Sequence, residues 1–504
     1  MVGTSHESEN YDRFTAKRIN FDQQENMSLQ LGSAQDQNVW SEGNQWTINS
    51  FFSRVNYTFA NKYVIEGTIR ADGSSRFDPD HRWGWFPGVN AAWRVGEEGF
   101  MKRLGWFEDL KVRASYGEMG NQSGIGLYDY IQLISLSNDY YPFGAGVKGQ
   151  MATSGNIIST SRTWETIQTT NVGFDFSTLN NRLYGSFDYF WKENKNMLIP
   201  KTYPSMLGAD APSTNSGHLS IHGWEISLGW RDQIKDFSYS VRFNISDAKN
   251  KVVDRVGSNL IKLGNNETPT GYPLNSYFGY EFDGIIQNEQ ELEAYKSRFS
   301  EGGIPGDLSV GDAMYKDLDG DGKLSVLGDG KEGSGDVKYL GDKNPRYNFG
   351  FNLSMAWKGF DLSAFIQGVG RRTMFLEGES RCPMPEAWYQ SAEYWYGKTW
   401  TPERTDAQYP AITLKDKRNY NYYVSTNTKF NVAYARLKNL QFGYTIPQTL
   451  TSKAGLQKVR VYFSGEDLFE VHNTPNGWDP EENSGSITSY PFTRNYSFGI
   501  NVVF

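Results

Sequence analysis

Large apolar residues and small or polar ones take turns along this chain. In the closing stretch RNYSFGINVVF, Tyr496, Phe498, Ile500, Val502 and Phe504 alternate with Asn495, Ser497, Gly499 and Asn501. The stretch FFSRVNYTF sets Phe51, Val55, Tyr57 and Phe59 against Arg54, Asn56 and Thr58. LKVRASYGE sets Leu110, Val112, Ala114 and Tyr116 against Lys111, Arg113 and Ser115. FSYSVRFNIS and YNFGFNLSMAW repeat the pattern, the second with Tyr347, Phe349, Phe351, Leu353, Met355 and Trp357 in one row. A period of two over such lengths is a strand with one apolar and one polar face. The pattern places strands near 46–60, 62–71, 84–95, 108–118, 162–178, 181–197, 217–231, 236–250, 344–357, 360–371, 429–446, 457–466 and 491–504.

Alternation alone fits a soluble sandwich or a membrane barrel. Strand length separates them: several runs reach the ~9–11 residues of a tilted membrane strand, whereas soluble strands average about 5–6. The joins separate them further. Short ones fall at FANKY (59–63), after Gly96, at LNNR (179–182), RDQIKD (231–236) and WKGF (357–360), and after Pro447. Long ones run 72–83, 119–161, 198–216, 251–343, 372–428 and 467–490. Short turns on one side and long loops on the other mark an outer-membrane barrel. The expectation is an all-β, antiparallel transmembrane β-barrel with long extracellular loops. The count comes to roughly thirteen strands, whereas bacterial barrels have an even number. On that count N-terminal strands are missing, residues 1–45 are the remainder of an extracellular loop, and 46–504 are part of a larger barrel.

Composition agrees. Aromatics make up 15 % of the chain, which favours strands, and the 52 glycines favour turns. Mean hydropathy is −0.61, and no apolar run approaches the ~18 residues of a membrane helix, which excludes helical membrane proteins but not a barrel. A net charge of −8 with no basic block argues against a nucleic-acid partner. Cys382 stands alone, so no internal disulfide forms. The start MVGTSHESEN has neither the basic nor the apolar region of a signal peptide.

Several stretches resemble one family, the SusC/RagA-type TonB-dependent outer-membrane transporters of Bacteroidetes. They are VNYTFANKYVIEGTIRADGSSRF (55–77), WGWFPGVNAAWRV (83–95), LKVRASYGEMGNQ (110–122), WETIQTTNVGFDF (164–176), GYEFDGIIQNEQELEAY (279–295), DLDGDGKL (317–324), YLGDKNPRYNFGFN (339–352) and YPFTRNYSFGINVVF (490–504). The resemblance implies a plugged barrel of about 22 strands, of which this chain is the C-terminal part, with the plug absent. It implies import of a nutrient such as a glycan or peptide, energy from the TonB system acting on the plug, and a SusD-like surface lipoprotein over the extracellular loops. It also implies reading of Phe504 by the barrel-assembly machinery; the order of joins, with the last strand following a long loop, puts Phe504 on the short-turn, periplasmic side. Two rivals stand beside it: a self-contained passive outer-membrane channel, and a secreted soluble calcium-dependent glycan-binding β protein.

Within the long 251–343 loop, DLDGDGKLS carries Asp317, Asp319 and Asp321 at positions 1, 3 and 5 of a calcium loop. Gly322 sits at the turn and the Lys323 carbonyl at position 7. Alternate carboxylates on a tight turn supply the several oxygens a hard cation needs. The position of the bidentate Glu is taken by Gly328, with Asp329 beside it. NEQELEAY (288–295) reads as a short helix capped by Asn288, with Glu291 completing a capping box. PEAWYQSAEYWYGKTW (385–400) gathers Trp388, Tyr389, Tyr394, Trp395, Tyr396 and Trp400, either to stack on sugar rings or a partner, or to pack on itself. Its end, Gly397-Lys398-Thr399, lacks the first glycine of a phosphate loop. On the polar faces Arg54, Glu66, Arg70, Lys111, Arg113, Asp175, Asp188, Lys192, Glu225, Arg242, Asp361 and Arg460 would line the lumen, because charge on the lipid face is costly. There is no HExxH, no GxSxG and no paired Cys/His set, so enzymatic chemistry has no visible home.

Overall fold

The computed structural model describes the chain apart from residues 22–27, 34, 36, 144–146, 156, 201–205, 207–212, 256–262, 265–268, 328–334, 386–389, 414–415, 483–484, 486–489 and 491. Gly328, Asp329, Trp388 and Tyr389 therefore lie outside the described residues. Among the described residues fourteen strands form one sheet, hydrogen-bonded in sequence order. They are β1 (Val2–Lys17), β2 (Asn38–Phe59), β3 (Tyr63–Ser74), β4 (Trp83–Trp93), β5 (Asp109–Asn121), β6 (Glu165–Thr178), β7 (Leu183–Pro200), β8 (Ser213–Ile234), β9 (Phe237–Arg255), β10 (Arg346–Trp357), β11 (Phe360–Arg371), β12 (Tyr434–Thr445), β13 (Lys458–His472) and β14 (Asn495–Val503).

The expected thirteen thus become fourteen. The addition is β1, which lies in the stretch read as loop and pairs residue by residue with β2, from Val2 opposite Ser53 to Lys17 opposite Asn38. Its sequence, VGTSHESENYDRFTAK, has no alternating apolar row to announce it. An even count removes the parity argument for missing strands.

The short joins are tight because their residues take the left-handed conformation that matches strand twist. Ala60 and Asn61, Asn180 and Asn181, and Lys358 and Gly359 all have positive φ. The join after β4 is longer, since Gly99–Leu104 winds into a helix closed by Gly105 at φ +63°.

The apolar rows do not meet in a dry core. Phe51, Val55, Phe498 and Ile500 are each more than half exposed, and none of the six apolar side chains of the β10 row is buried. That row spans ten residue steps, about 33 Å at ~3.3 Å per residue, or about 25 Å along the normal of a strand tilted ~40°. This matches the ~25 Å apolar band of an outer-membrane barrel. Beside the short turns the row ends in rings placed opposite one another by register: Phe237 with Trp357, Trp357 with Phe360, and Phe360 with Tyr444. Phe59 and Tyr63 repeat this at another turn, 6.4 Å apart. Aromatic rows at the edge of an apolar band are what a membrane interface selects.

The chain packs as two compact units. One comprises Met1–Ala91, Ser115–Thr170 and Lys192–His218; the other comprises Ala92–Ala114, Asn171–Trp191 and Leu219–Phe504. The first has a small core of Phe77, Phe86, Ile125 and Trp164. In the second, the long loops build cores of their own. Tyr280, Ile286, Leu292, Tyr295, Tyr315 and Tyr420 form one. Met374, Tyr394, Trp395, Tyr409, Val432 and Trp478 form another. The expected helix is Glu289–Arg298, with the Asn288 side chain accepting from the Glu291 N–H at 2.9 Å. The Glu291 carboxylate reaches one residue further back than a capping box requires, to the Gln287 N–H at 2.9 Å.

Candidate functional site

In the first unit the polar faces of β2, β3 and β4 carry fixed charge. Register sets Asn56 opposite Glu66. The Glu66 carboxylate accepts from Arg54 Nε at 2.6 Å, Asn56 Nδ2 at 3.0 Å and Asn90 Nδ2 at 3.2 Å. Arg70 Nε donates to both Asp72 oxygens at 2.8 Å, and its Nη2 to Ser50 Oγ at 3.0 Å. Of these groups Arg54, Arg70, Asp72, Asn90 and Ser50, with Phe52, Phe86 and Trp164, wall a cavity of about 940 Å³. Apolar walls with a few oriented charges are the make-up of a ligand site.

In the second unit Arg113 spans two strands. Its Nη2 donates to Asp188 at 2.6 Å and its Nε to Asp175 at 3.2 Å, and Lys111 Nζ adds a bond to Asp175 at 3.3 Å. Arg242 Nη2 donates to the Tyr184 hydroxyl at 3.3 Å, and the guanidinia of Arg231 and Arg242 lie 5.2 Å and 5.8 Å from that ring. Arg460 grips Asp361, and its Nη2 also donates to Gln441 at 3.1 Å. Glu225 is exposed on β8. The Arg113–Asp188 and Arg460–Asp361 pairs are partly buried. These ladders hold the side chains in fixed orientation along the polar face.

Within the calcium-loop motif, Asp317 and Asp319 come together, but their third partner is Asp336 rather than Asp321. One oxygen from each of the three lies within 4.8 Å of the others. Asp321 instead accepts from the Lys323 N–H at 2.8 Å, and Lys323 sits in a bridge with Gly302. Asp336 is fully buried and accepts from the N–H groups of Leu318 and Ser325, at 2.7 and 2.8 Å. Burial holds its carboxyl above the usual range, and Asp319 and Asp317 push the same way. Calcium ligands sit ~2.3–2.6 Å from the ion, so two of them span at most ~5 Å. The spacing of the three carboxylates fits that limit.

In the aromatic loop the described residues mostly pack on themselves. Tyr394, Trp395 and Trp400 are buried, and Tyr396 alone among the four described rings is exposed. The Tyr394 and Tyr409 hydroxyls meet at 2.6 Å.

Two features escaped the sequence. Arg436 is fully buried and meets Glu470 at 2.9 Å, Asp479 at 2.6 Å and Glu481 at 3.0 Å. Lys438 beside it bonds Asp467 and Glu481. These contacts tie the loop after β13 to β12. Glu281 bridges Lys316, at 2.7 Å, and Lys338. Hydrogen bonds from those two ammonium groups hold its carboxyl down to about 2.

An exposed apolar face, a charged opposite face and interface rings define the class of an outer-membrane β-barrel. A sequence model of the family described as TonB dependent receptor-like, beta-barrel, matches residues 2–468, and the chain belongs to that family. It is 32% identical over 490 residues to TonB-dependent receptor P3 of Formosa agariphila, covering 92% of this chain and 46% of that one. It is 27% identical over 494 residues to TonB-dependent receptor SusC of Bacteroides thetaiotaomicron, covering 91% of this chain and 44% of that one. A chain in the structure of the RagAB peptide transporter shares the fold, with a TM-score of 0.79 at 22% identity over 99% of this chain and 52% of that one. The chain spans about half the length of the curated relatives it matches.

Proposed function

We propose that this chain is the C-terminal barrel part of a SusC/RagA-type importer that carries a nutrient such as a glycan or peptide across the outer membrane. The observation that carries this reading is the exposed apolar face backed by a charged one, in a chain of the TonB-dependent receptor barrel family. On this reading Arg54, Glu66, Arg70, Lys111, Arg113, Asp188, Glu225 and Arg242 line the lumen, and the long loops are extracellular. A SusD-like lipoprotein covers those loops. The TonB system drives import through a plug domain, and the barrel-assembly machinery reads Phe504. Calcium, held by Asp317, Asp319 and Asp336, braces the 251–343 loop; with only three side-chain ligands, carbonyls and water complete the shell and the affinity is weak.

The test is uptake of labelled oligosaccharides and peptides by cells with and without the gene, before and after collapse of the proton-motive force. Uptake of one ligand class that needs both the gene and the gradient supports the reading. Gene-dependent uptake that ignores the gradient supports a passive channel.

A further inference from the structure

At the long-loop end of β9, β10 and β11 lies a second cavity, of about 360 Å³, lined by His222, Lys249, Lys251, Arg346, Arg371 and Arg372. Among the described residues that line it, the one carboxylate is Asp342, already engaged by the Tyr339 hydroxyl at 2.8 Å and the Asn344 N–H at 3.1 Å. Asp247, just outside, is taken up by both arms of Arg346. Arg372 is 8 % exposed; it donates to the carbonyls of Pro480 and Glu482, and the Glu482 and Asp479 carboxylates act on it as well. With the Arg346–Asp247 pair and Arg372 set aside, three cationic groups of the lining, Lys249, Lys251 and Arg371, stand against the Asp342 carboxylate.

The sheet itself aggravates this crowding. Register places Arg346 directly opposite Arg371, and like charges in that relation repel. Lys429 feels the same excess: burial first, then Arg371 and Lys338, push its ammonium below its usual range. A folded chain that concentrates guanidinium and ammonium groups round a cavity holds a site prepared for a multivalent oxyanion, whose oxygens accept several charge-assisted bonds at once.

We infer that this cavity binds a sulfate or phosphate group carried by a larger ligand. The group belongs either to a soluble anionic cargo or to a phosphorylated glycolipid of the outer leaflet. As a statement about cargo the inference rests on the import reading; as a statement about binding it does not.

Isothermal titration of the full chain in detergent micelles tests it, with three probes: a sulfated disaccharide, pyrophosphate and a lipid A-type phosphoglycolipid. The expected result is saturable binding of at least one probe, weakened at least tenfold in Lys249→Gln/Arg371→Gln. Both side chains are exposed, and an unchanged circular dichroism spectrum verifies folding. Preference for the disaccharide assigns the site to cargo, and preference for the glycolipid assigns it to the envelope. No binding of any probe, or equal binding by the folded variant, overturns the inference. Binding without gene-dependent uptake would leave the site standing and remove the import reading instead.

Discussion

Glu281 shows how single residues steady the loops. Its carboxyl, held down to about 2 by Lys316 and Lys338, would titrate near 4.5 once the loop opens. A depressed carboxyl stabilises fully above the unfolded value and loses that contribution as pH falls toward the folded one. The loop should therefore weaken between pH ~4.5 and ~2. Near-ultraviolet circular dichroism melts at pH 5 and pH 3 should show a lower transition in acid, and Glu281→Gln should flatten the difference. For the calcium proposal, added calcium should raise the melting temperature of the chain, and Asp317→Asn or Asp336→Asn should abolish the rise while Asp321→Asn leaves most of it. Spacing made Asp317 and Asp319 legible, but the same spacing offered Asp321, which accepts from the Lys323 N–H instead. Asp336 was not legible, since only the folded loop returns it to Leu318 and Ser325. Arg436 shares that reason: two of its three acidic partners lie in a loop that no local pattern links to its strand.

Whole strands were easier to read than single residues. An alternating row of large apolar side chains states both that a strand exists and which face turns from water, and β2, β5, β9, β10 and β14 all carry one. β1 carries none, so its strand state rests on pairing with β2, a non-local fact. Turns are also local: Gly359 sits at φ +90°, and a Cβ there would lie 2.8 Å from the Thr445 carbonyl oxygen. Gly359→Ala should destabilise the β10–β11 hairpin by about 1–2 kcal/mol, seen as a lower unfolding midpoint in urea. Face matters as much as position. Leu353→Arg, near the middle of the β10 apolar row, should cost about 2–4 kcal/mol in a bilayer. Ser354→Arg, one residue on and facing the other way, should cost little. Folding titrations into lipid vesicles compare the two.

The molecule as a whole depends on one sided arrangement: apolar rows toward hydrocarbon, ion-paired rows toward water. Family membership and the shared fold agree with it, but neither measures which way a side chain faces. Cysteines placed singly from Phe349 to Trp357 in a Cys382→Ser background, with the chain reconstituted in vesicles, measure it directly. A lipid-borne quencher should dim fluorophores at 349, 351, 353, 355 and 357, while a water-soluble one should dim those at 350, 352, 354 and 356. Both quenchers acting alike along the strand, or neither reaching the odd positions, would contradict the arrangement.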